Sequence, residues 1–303
     1  MDFNTHETRE RGLNRYGQLG DRRNGSRDDK HIPYLVHALD SETVVNVTCG
    51  STCTFAYTSS GLIYDFGEYR VAKEIRSFTP TIDLGLSNKN VTSIDVQKRH
   101  CAFLTENGEL FTWGEGSHGM LGHGDTSDQL APRLVEGLAG IACKQVACSE
   151  YHSVVLTQCG KVYTFGCGEH GQLGHGDVND KHLPTLVQAL ETKEIIQVQC
   201  GGKYRTLALR TSGYVYAWGD MDYLLRRENV LVSPNPKVLV PSIVHKLSRY
   251  NVVQLSSYSA TTELIDPLST YCAIIVDPSP SPIREAQRSQ LYNKDHSDVK
   301  DIV

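Results

Sequence analysis

The sequence predicts an all-β fold: a partial β-propeller of about five four-stranded antiparallel blades, followed by a short C-terminal linker. Three observations predict it. First, GEGSHGMLGHGD (Gly114 to Asp125) recurs as GCGEHGQLGHGD (Gly166 to Asp177), so Gly119 returns as Gly171, 52 positions on. A fixed period of this size marks stacked supersecondary units. Second, each clear unit carries four short runs rich in β-branched and aromatic residues, such as PRLVEGL, KQVAC, SVVL and VYTF, separated by glycine-bearing turns. Third, no segment of a unit sustains an apolar period of about 3.6 over the length of a helix. Four short strands per repeat of roughly 50 residues is the signature of a propeller blade.

Taken in order, residues 1–13 form a charged leader, expected to be flexible. The first unit spans 14–67, with YGQLG, PYLVHAL and VVNVTCGSTCTFAYTSSGLIYDFG matching the repeat. The second, 68–114, has lost the signature turn, where EYRVAKEIRSF stands, but keeps TPTIDLG, VTSIDV, HCAFLT and LFTWG. The third (115–166) and fourth (167–219) are the clearest. The fifth, 220–276, is degenerate: MDYLLRREN replaces the turn, while PKVLVPSIV, VVQLSS and YCAIIV read as strands. Two devices are expected to hold the blades. Glycines supply the positive φ of the signature turn. The aromatic before each closing glycine (Phe66, Trp113, Phe165, Trp218) is expected to fill the contact between neighbouring blades. From Asp277 the composition turns Pro-rich in DPSPSPIREAQ, which reads as an extended linker.

Composition narrows the function classes. The net charge of −5 and pI near 6.2 argue against a nucleic-acid partner, because phosphate binding needs clustered Lys and Arg. The start, MDFNTHETRERG, lacks the apolar core of a signal peptide. No run approaches the roughly 18 apolar residues of a membrane span, so no membrane is expected. The nine cysteines include no CxxC pair, and Cys49, Cys148 and Cys200 recur at one repeat position. That pattern reads as packing thiols in a reducing compartment, cytoplasmic or nuclear.

The motifs GQLGHGD, P-x-L-V and the closing VYTFG or VYAWG resemble the regulator-of-chromosome-condensation repeat. The resemblance implies a β-propeller, usually a ring of seven blades. The tail, VDPSPSPIREAQ with NKDHSDV, resembles the linker and first strand of members joined to a BTB domain. It implies that residues 277–303 are a Pro-rich linker and the start of a BTB-like domain, interrupted by Lys300 and Asp301. On this reading the chain is a truncated member, and its two outer blade faces are open, apolar and prone to self-association.

Several constellations carry residue types capable of chemistry. Gly114-x-Gly116-x-x-Gly119 and Gly166-x-Gly168-x-x-Gly171 fit a phosphate-binding fingerprint, but LGHGD and a proline follow where a helix is required. His118/His123 and His170/His175 have metal-capable residue types, yet sit in separate units; turn hydrogen bonding is the preferred reading and no metal is expected. His100 and His152 share a repeat position with Cys53 and Arg205, as packing residues do. Glu150, Tyr151, His152 and Ser153 alternate across a strand and cannot form a triad. Asp28-Asp29, Lys98-Arg99 and Arg226-Arg227 read as solvated loop charges, and Ser279 and Ser281 as part of a spacer. Catalytic, cofactor-binding and metal residues are therefore all expected to be absent.

The leading expectation is a non-catalytic scaffold that binds a protein partner through its loops, with 22–32, 127–131 and 179–183 as polar inserts. The family resemblance adds substrate recognition for a cullin-type ubiquitin ligase. Two alternatives come from the same resemblance: guanine-nucleotide exchange on a Ran-like GTPase, and chromatin binding, which the acidic balance opposes.

Overall fold

A computed structural model describes residues 9–12, 17–20, 30–50, 52–68, 76–82, 89–220, 237–247, 251–259 and 270–277. Four antiparallel four-stranded sheets make up its body. The first holds β3 (Val44–Cys49), β4 (Cys53–Thr58), β5 (Ile63–Glu68) and β6 (Arg76–Ile82). The second holds β7 (Val91–Val96), β8 (His100–Thr105), β9 (Leu110–Gly114) and β10 (Gln129–Leu134). The third holds β11 (Cys143–Cys148), β12 (His152–Thr157), β13 (Val162–Gly166) and β14 (Lys181–Leu186). The fourth holds β15 (Ile195–Cys200), β16 (Arg205–Arg210), β17 (Val215–Asp220) and β18 (Lys237–Ile243). Two-stranded sheets flank them: β1 (Arg9–Gly12) with β2 (Lys30–Leu35), and β19 (Asn251–Ser259) with β20 (Thr270–Asp277). Helix among the described residues is confined to three-residue 3-10 turns such as Ser117–Gly119 and Gln188–Leu190.

The sheets are cut differently from the sequence units. Each of the first four units closes on a glycine, but the sheet takes its fourth strand from the unit that follows. The signature turn reverses the chain, and the Pro-containing strand returns antiparallel to the third strand, pairing Gly114 with Gln129 and Gly166 with Lys181. The charged leader, expected to be flexible, ends in a strand, Arg9–Gly12. Gly12 pairs with Lys30, the register of a closing glycine, so Arg9–Gly12 is a third strand. RERG lacks the aromatic alternation of VYTFG, which is why its strand character does not show in the sequence. Residues 278–303, with the expected linker, the BTB-like start, Ser279 and Ser281, lie outside the described residues. So do Asp28-Asp29 and Arg226-Arg227.

The first strands β3, β7, β11, β15 and β19 contact one another in succession, so neighbouring sheets meet face to face. The core is built between sheets. Phe165, fully buried, joins Val146 and Val155 of its own sheet to Ala102, Leu104 and Leu110 of the preceding one. Trp218 likewise packs with Val154, Leu156 and Val162. Phe55, Phe103 and Trp113 form a third such contact, with Trp113 stacked 4.8 Å from Phe103. Each such aromatic side chain buries about 150–250 Å², so one ring is a large part of a junction's apolar contact. The signature turn fits beneath them: a Cβ on Gly174 (φ +78) would meet Nε1 of Trp218 at 2.7 Å.

Candidate protein-interaction face

Two kinds of loop meet at one edge of the sheets: the turn between the first and second strands, and the segment after the closing glycine. Arg99, in the turn between β7 and β8, joins them. Its Nη1 donates to Glu115 Oε1 at 2.6 Å, its Nε reaches Glu150 Oε1 at 3.4 Å, and its Nη2 donates to the Tyr151 hydroxyl at 3.3 Å. The guanidinium also lies 4.7 Å from the Tyr151 ring centroid. Tyr151 stacks on Tyr204 at 5.5 Å and 7°, and His170 also stacks on Tyr204, at 4.0 Å. A half-buried run of cation and rings therefore crosses three consecutive sheets.

The charges along this run are fixed. Glu150 is buried and bridges Arg99 to Lys203, whose Nζ lies 3.1 Å away. Burial alone would raise its carboxyl, but the Lys203 hydrogen bond and charge, with Lys98 and Arg99, hold it below the usual carboxylate range. Burial, then the neighbouring Tyr151 and Glu150, push the Tyr204 hydroxyl up to about 12. The face thus presents aromatic rings between the Arg99 guanidinium and the Glu150–Lys203 ion pair. Arg and aromatic side chains held rigid at a surface are the groups that anchor protein interfaces.

The fingerprint glycines form structural turns. A Cβ on Gly116 or Gly168 would meet the backbone carbonyl of Ser127 or Asn179 at 2.1 Å, so these glycines let the polar insert close over the turn. The histidine pairs do not converge on one another. Each pair splits: His123 and His175 donate back to Thr112 on β9 and Thr164 on β13, at 3.1 and 2.9 Å, because each threonine hydroxyl gives its hydrogen to a leucine carbonyl. His118 instead reaches Asp180 Oδ2 of the next turn at 2.8 Å, and His170 lies 3.8 Å from Asp220. Cys167 comes within the same cluster as His118 and Asp180.

Glu150 and Tyr151 belong to the face, whereas His152 and Ser153 are buried between sheets. Ser153 Oγ lies 2.7 Å from His100 Nε2 of the preceding sheet, a Ser–His pair that adjacent positions in sequence do not reveal. It is not an activated nucleophile: the hydroxyl donates to Met120 O at 2.9 Å, and both side chains are sealed from solvent. The pair Tyr151 and Tyr204 was legible in retrospect, since both precede the second strand of their sheet at one repeat position.

A model of the RCC1-like domain matches residues 9–266. The chain belongs to the RCC1-like domain family. Its relatives include the human E3 ubiquitin-protein ligase HERC2, 39% identical over 222 residues, and the Arabidopsis thaliana ultraviolet-B receptor UVR8, 34% identical over 213 residues. These matches take in 70% and 68% of the chain, but only 4% of HERC2 and 48% of UVR8. The solved structure of Prp20p from Saccharomyces cerevisiae overlays with a TM-score of 0.75 at 18% identity, covering 95% of this chain and 68% of that one. RCC1-like family membership and the Prp20p overlay agree with the propeller-type sheets described above.

Proposed function

We propose that this RCC1-like domain is a non-catalytic scaffold that docks a protein partner on the Arg99–Tyr151–Tyr204 face. The observation that carries the proposal is the continuous stack running from the Arg99 guanidinium through Tyr151 and Tyr204 to His170, braced by Glu115, Glu150 and Lys203. Side chains pre-ordered in this way lose little entropy on binding. The likeness to an E3 ubiquitin-protein ligase supports reading the partner as a protein presented for ubiquitylation, and the tail resemblance supports a cullin-type ligase. The buried thiols of Cys101, Cys148 and Cys200 support a reducing compartment, cytoplasm or nucleus.

The test is affinity capture with the wild-type chain, an Arg99→Ala/Tyr204→Ala double variant and a Lys144→Ala control on a first strand. A protein held by wild type and control but lost from the double variant supports the face. Equal capture by all three removes it. A second reading rests on Prp20p, which binds Gsp1p and histones. Acceleration of nucleotide release from a Ran-like GTPase would replace a passive scaffold with an exchange factor. Salt-dependent binding to nucleosomes would favour chromatin, against the chain's net charge of −5.

A further inference from the structure

We propose that His118, Cys167 and Asp180 form a zinc-binding site that ties the signature turn of one sheet to the loops of the next. The site stands apart from the docking reading and does not depend on it. Its three donors are an imidazole nitrogen, a thiol sulfur and a carboxylate oxygen, all within 4.8 Å of one another. Zinc takes this mixture of N, S and O ligands, and three protein ligands with a water in the fourth position is its open arrangement. Tetrahedral bonds of about 2.0–2.3 Å place ligand atoms roughly 3.3–3.8 Å apart, so the cluster is close to binding size already.

The donors are held from outside the site. Asp180 accepts the Gly168 N–H on Oδ1 at 2.8 Å, which leaves Oδ2 facing His118. A supported carboxylate of this kind orients a ligand before the metal arrives. His118 sits at φ +60, a left-handed backbone uncommon for residues other than glycine, although histidine is among the few that enter it more often. The 3-10 turn Ser117–Gly119 and Gly119 at φ +75 keep it there, with its ring aimed across the junction between sheets. His118 and Asp180 side chains remain 36% and 29% exposed, so an ion has a way in, while Cys167 forms the floor.

Cys167 is the residue that sets this junction apart. The same repeat position holds Glu115 in the preceding sheet and Asp220 in the following one. Nor is Cys167 one of the packing thiols that recur at Cys49, Cys148 and Cys200. Thiol with imidazole favours zinc over calcium or magnesium, which take oxygen ligands. Binding balances as follows. The Cys167 thiol loses its proton to solvent and binds as thiolate, Asp180 binds as carboxylate, and the hydrogen that His118 Nδ1 now donates to Asp180 Oδ2 leaves that atom, so His118 binds through Nδ1 as the neutral tautomer with its proton on Nε2. The two anionic ligands cancel the charge of the ion.

The test is titration of chelator-treated, refolded-free native chain with Co²⁺, read by the cysteine-to-cobalt charge-transfer band, followed by displacement with Zn²⁺. Wild type is expected to give one band saturating at one ion per chain, with Zn²⁺ displacing it and raising the Tm. Cys159→Ser, at an exposed cysteine, should leave the band intact. Cys167→Ser should abolish it, and Asp180→Asn, which keeps the Gly168 contact, should weaken binding at least tenfold. Circular dichroism checks that each variant is folded, and Asp180→Asn decides the matter if Cys167→Ser is not. No band in wild type, or a band that survives in folded Cys167→Ser or keeps its affinity in Asp180→Asn, overturns the site.

Discussion

The hydroxyl of Ser153 carries one hydrogen, and Met120 O accepts it at 2.9 Å. His100 Nε2, 2.7 Å away, must therefore be the donor in its own contact with that oxygen. The next sheet repeats the arrangement: Thr206 donates to Gln172 O, so His152 Nε2 donates to Thr206. Both rings are held as the Nε2–H tautomer, and both Nδ1 atoms are buried without a hydrogen-bond partner. Desolvation depresses both imidazoles to about 3. The unfolded histidines protonate as pH falls below about 6.5 while the folded ones do not, so stability is full above that value and is lost down to about 3. Each histidine should cost about 2 kcal/mol of stability between pH 7 and pH 5. Asp95 works the other way, because burial raises its carboxyl to about 6, and it offsets part of the loss. Urea unfolding at pH 7 and pH 5 should therefore show a net loss, and His100→Gln/His152→Gln should flatten it. An unchanged pH dependence in the folded double variant would show that these rings titrate in the native state. Ser153→Ala, which leaves His100 Nε2–H buried without an acceptor, is expected to cost about 1–3 kcal/mol at pH 7 in the same experiment.

Between elements, sheets are joined by side chains that imitate backbone. Gln145 on β11 donates through Nε2 to Val198 O at 2.9 Å and accepts the Val198 N–H on Oε1 at 3.0 Å. Gln197 on β15 makes the same pair of bonds with Leu255 on β19, at 2.7 and 2.8 Å. A carboxamide supplies both a donor and an acceptor at that spacing. Gln145→Glu removes the donor and is expected to lose about 1–3 kcal/mol, with faster amide exchange centred on Val198. Unaltered exchange at Val198 would show that the clamp contributes nothing. Gly166→Ala tests a different joint, because the new Cβ would lie 2.6 Å from Tyr151 O at φ +109, against backbone that cannot swing away. Its expected outcome is a chain that fails to fold or melts far below wild type. Such joints divide what a sequence shows from what it hides. Gly166 and Phe165 are legible because the first four units all end on an aromatic followed by glycine. Gln145 is not, since β3 and β7 carry Asn46 and Ser93 at that position and the partner lies a full repeat away. The sheet boundary was hidden for a related reason: P-x-L-V alternates like any strand and does not say which neighbour it will pair with. His118, Cys167 and Asp180 stand in three separate stretches and meet only because consecutive sheets do.

Across the whole molecule, the principal contacts between sheets among the described residues run from each first strand to the next along the chain, so stability is treated as a sum of sheet and junction contributions. Trp218 isolates one junction. It belongs to the fourth sheet but lies among Val154, Leu156 and Val162 of the third, over Gly174 of the intervening turn. Trp218→Ala should cost about 3–5 kcal/mol by leaving a cavity that the strands cannot close. In a protein with one shared core, that loss would appear as weaker amide protection everywhere. Here the aromatic contact of the first and second sheets, Phe55 with Phe103 and Trp113, shares no residue with the Trp218 cluster. Hydrogen exchange on Trp218→Ala is therefore expected to rise in β11–β14 and β15–β18 and to stay near wild type in β3–β5. The Tyr151–Tyr204 stack spans the weakened junction, so partner capture should fall with it even though no residue of the docking face has changed. Uniform loss of protection, or capture that survives while the junction opens, would mean that the sheets unfold as one unit and that the face is not assembled by their packing.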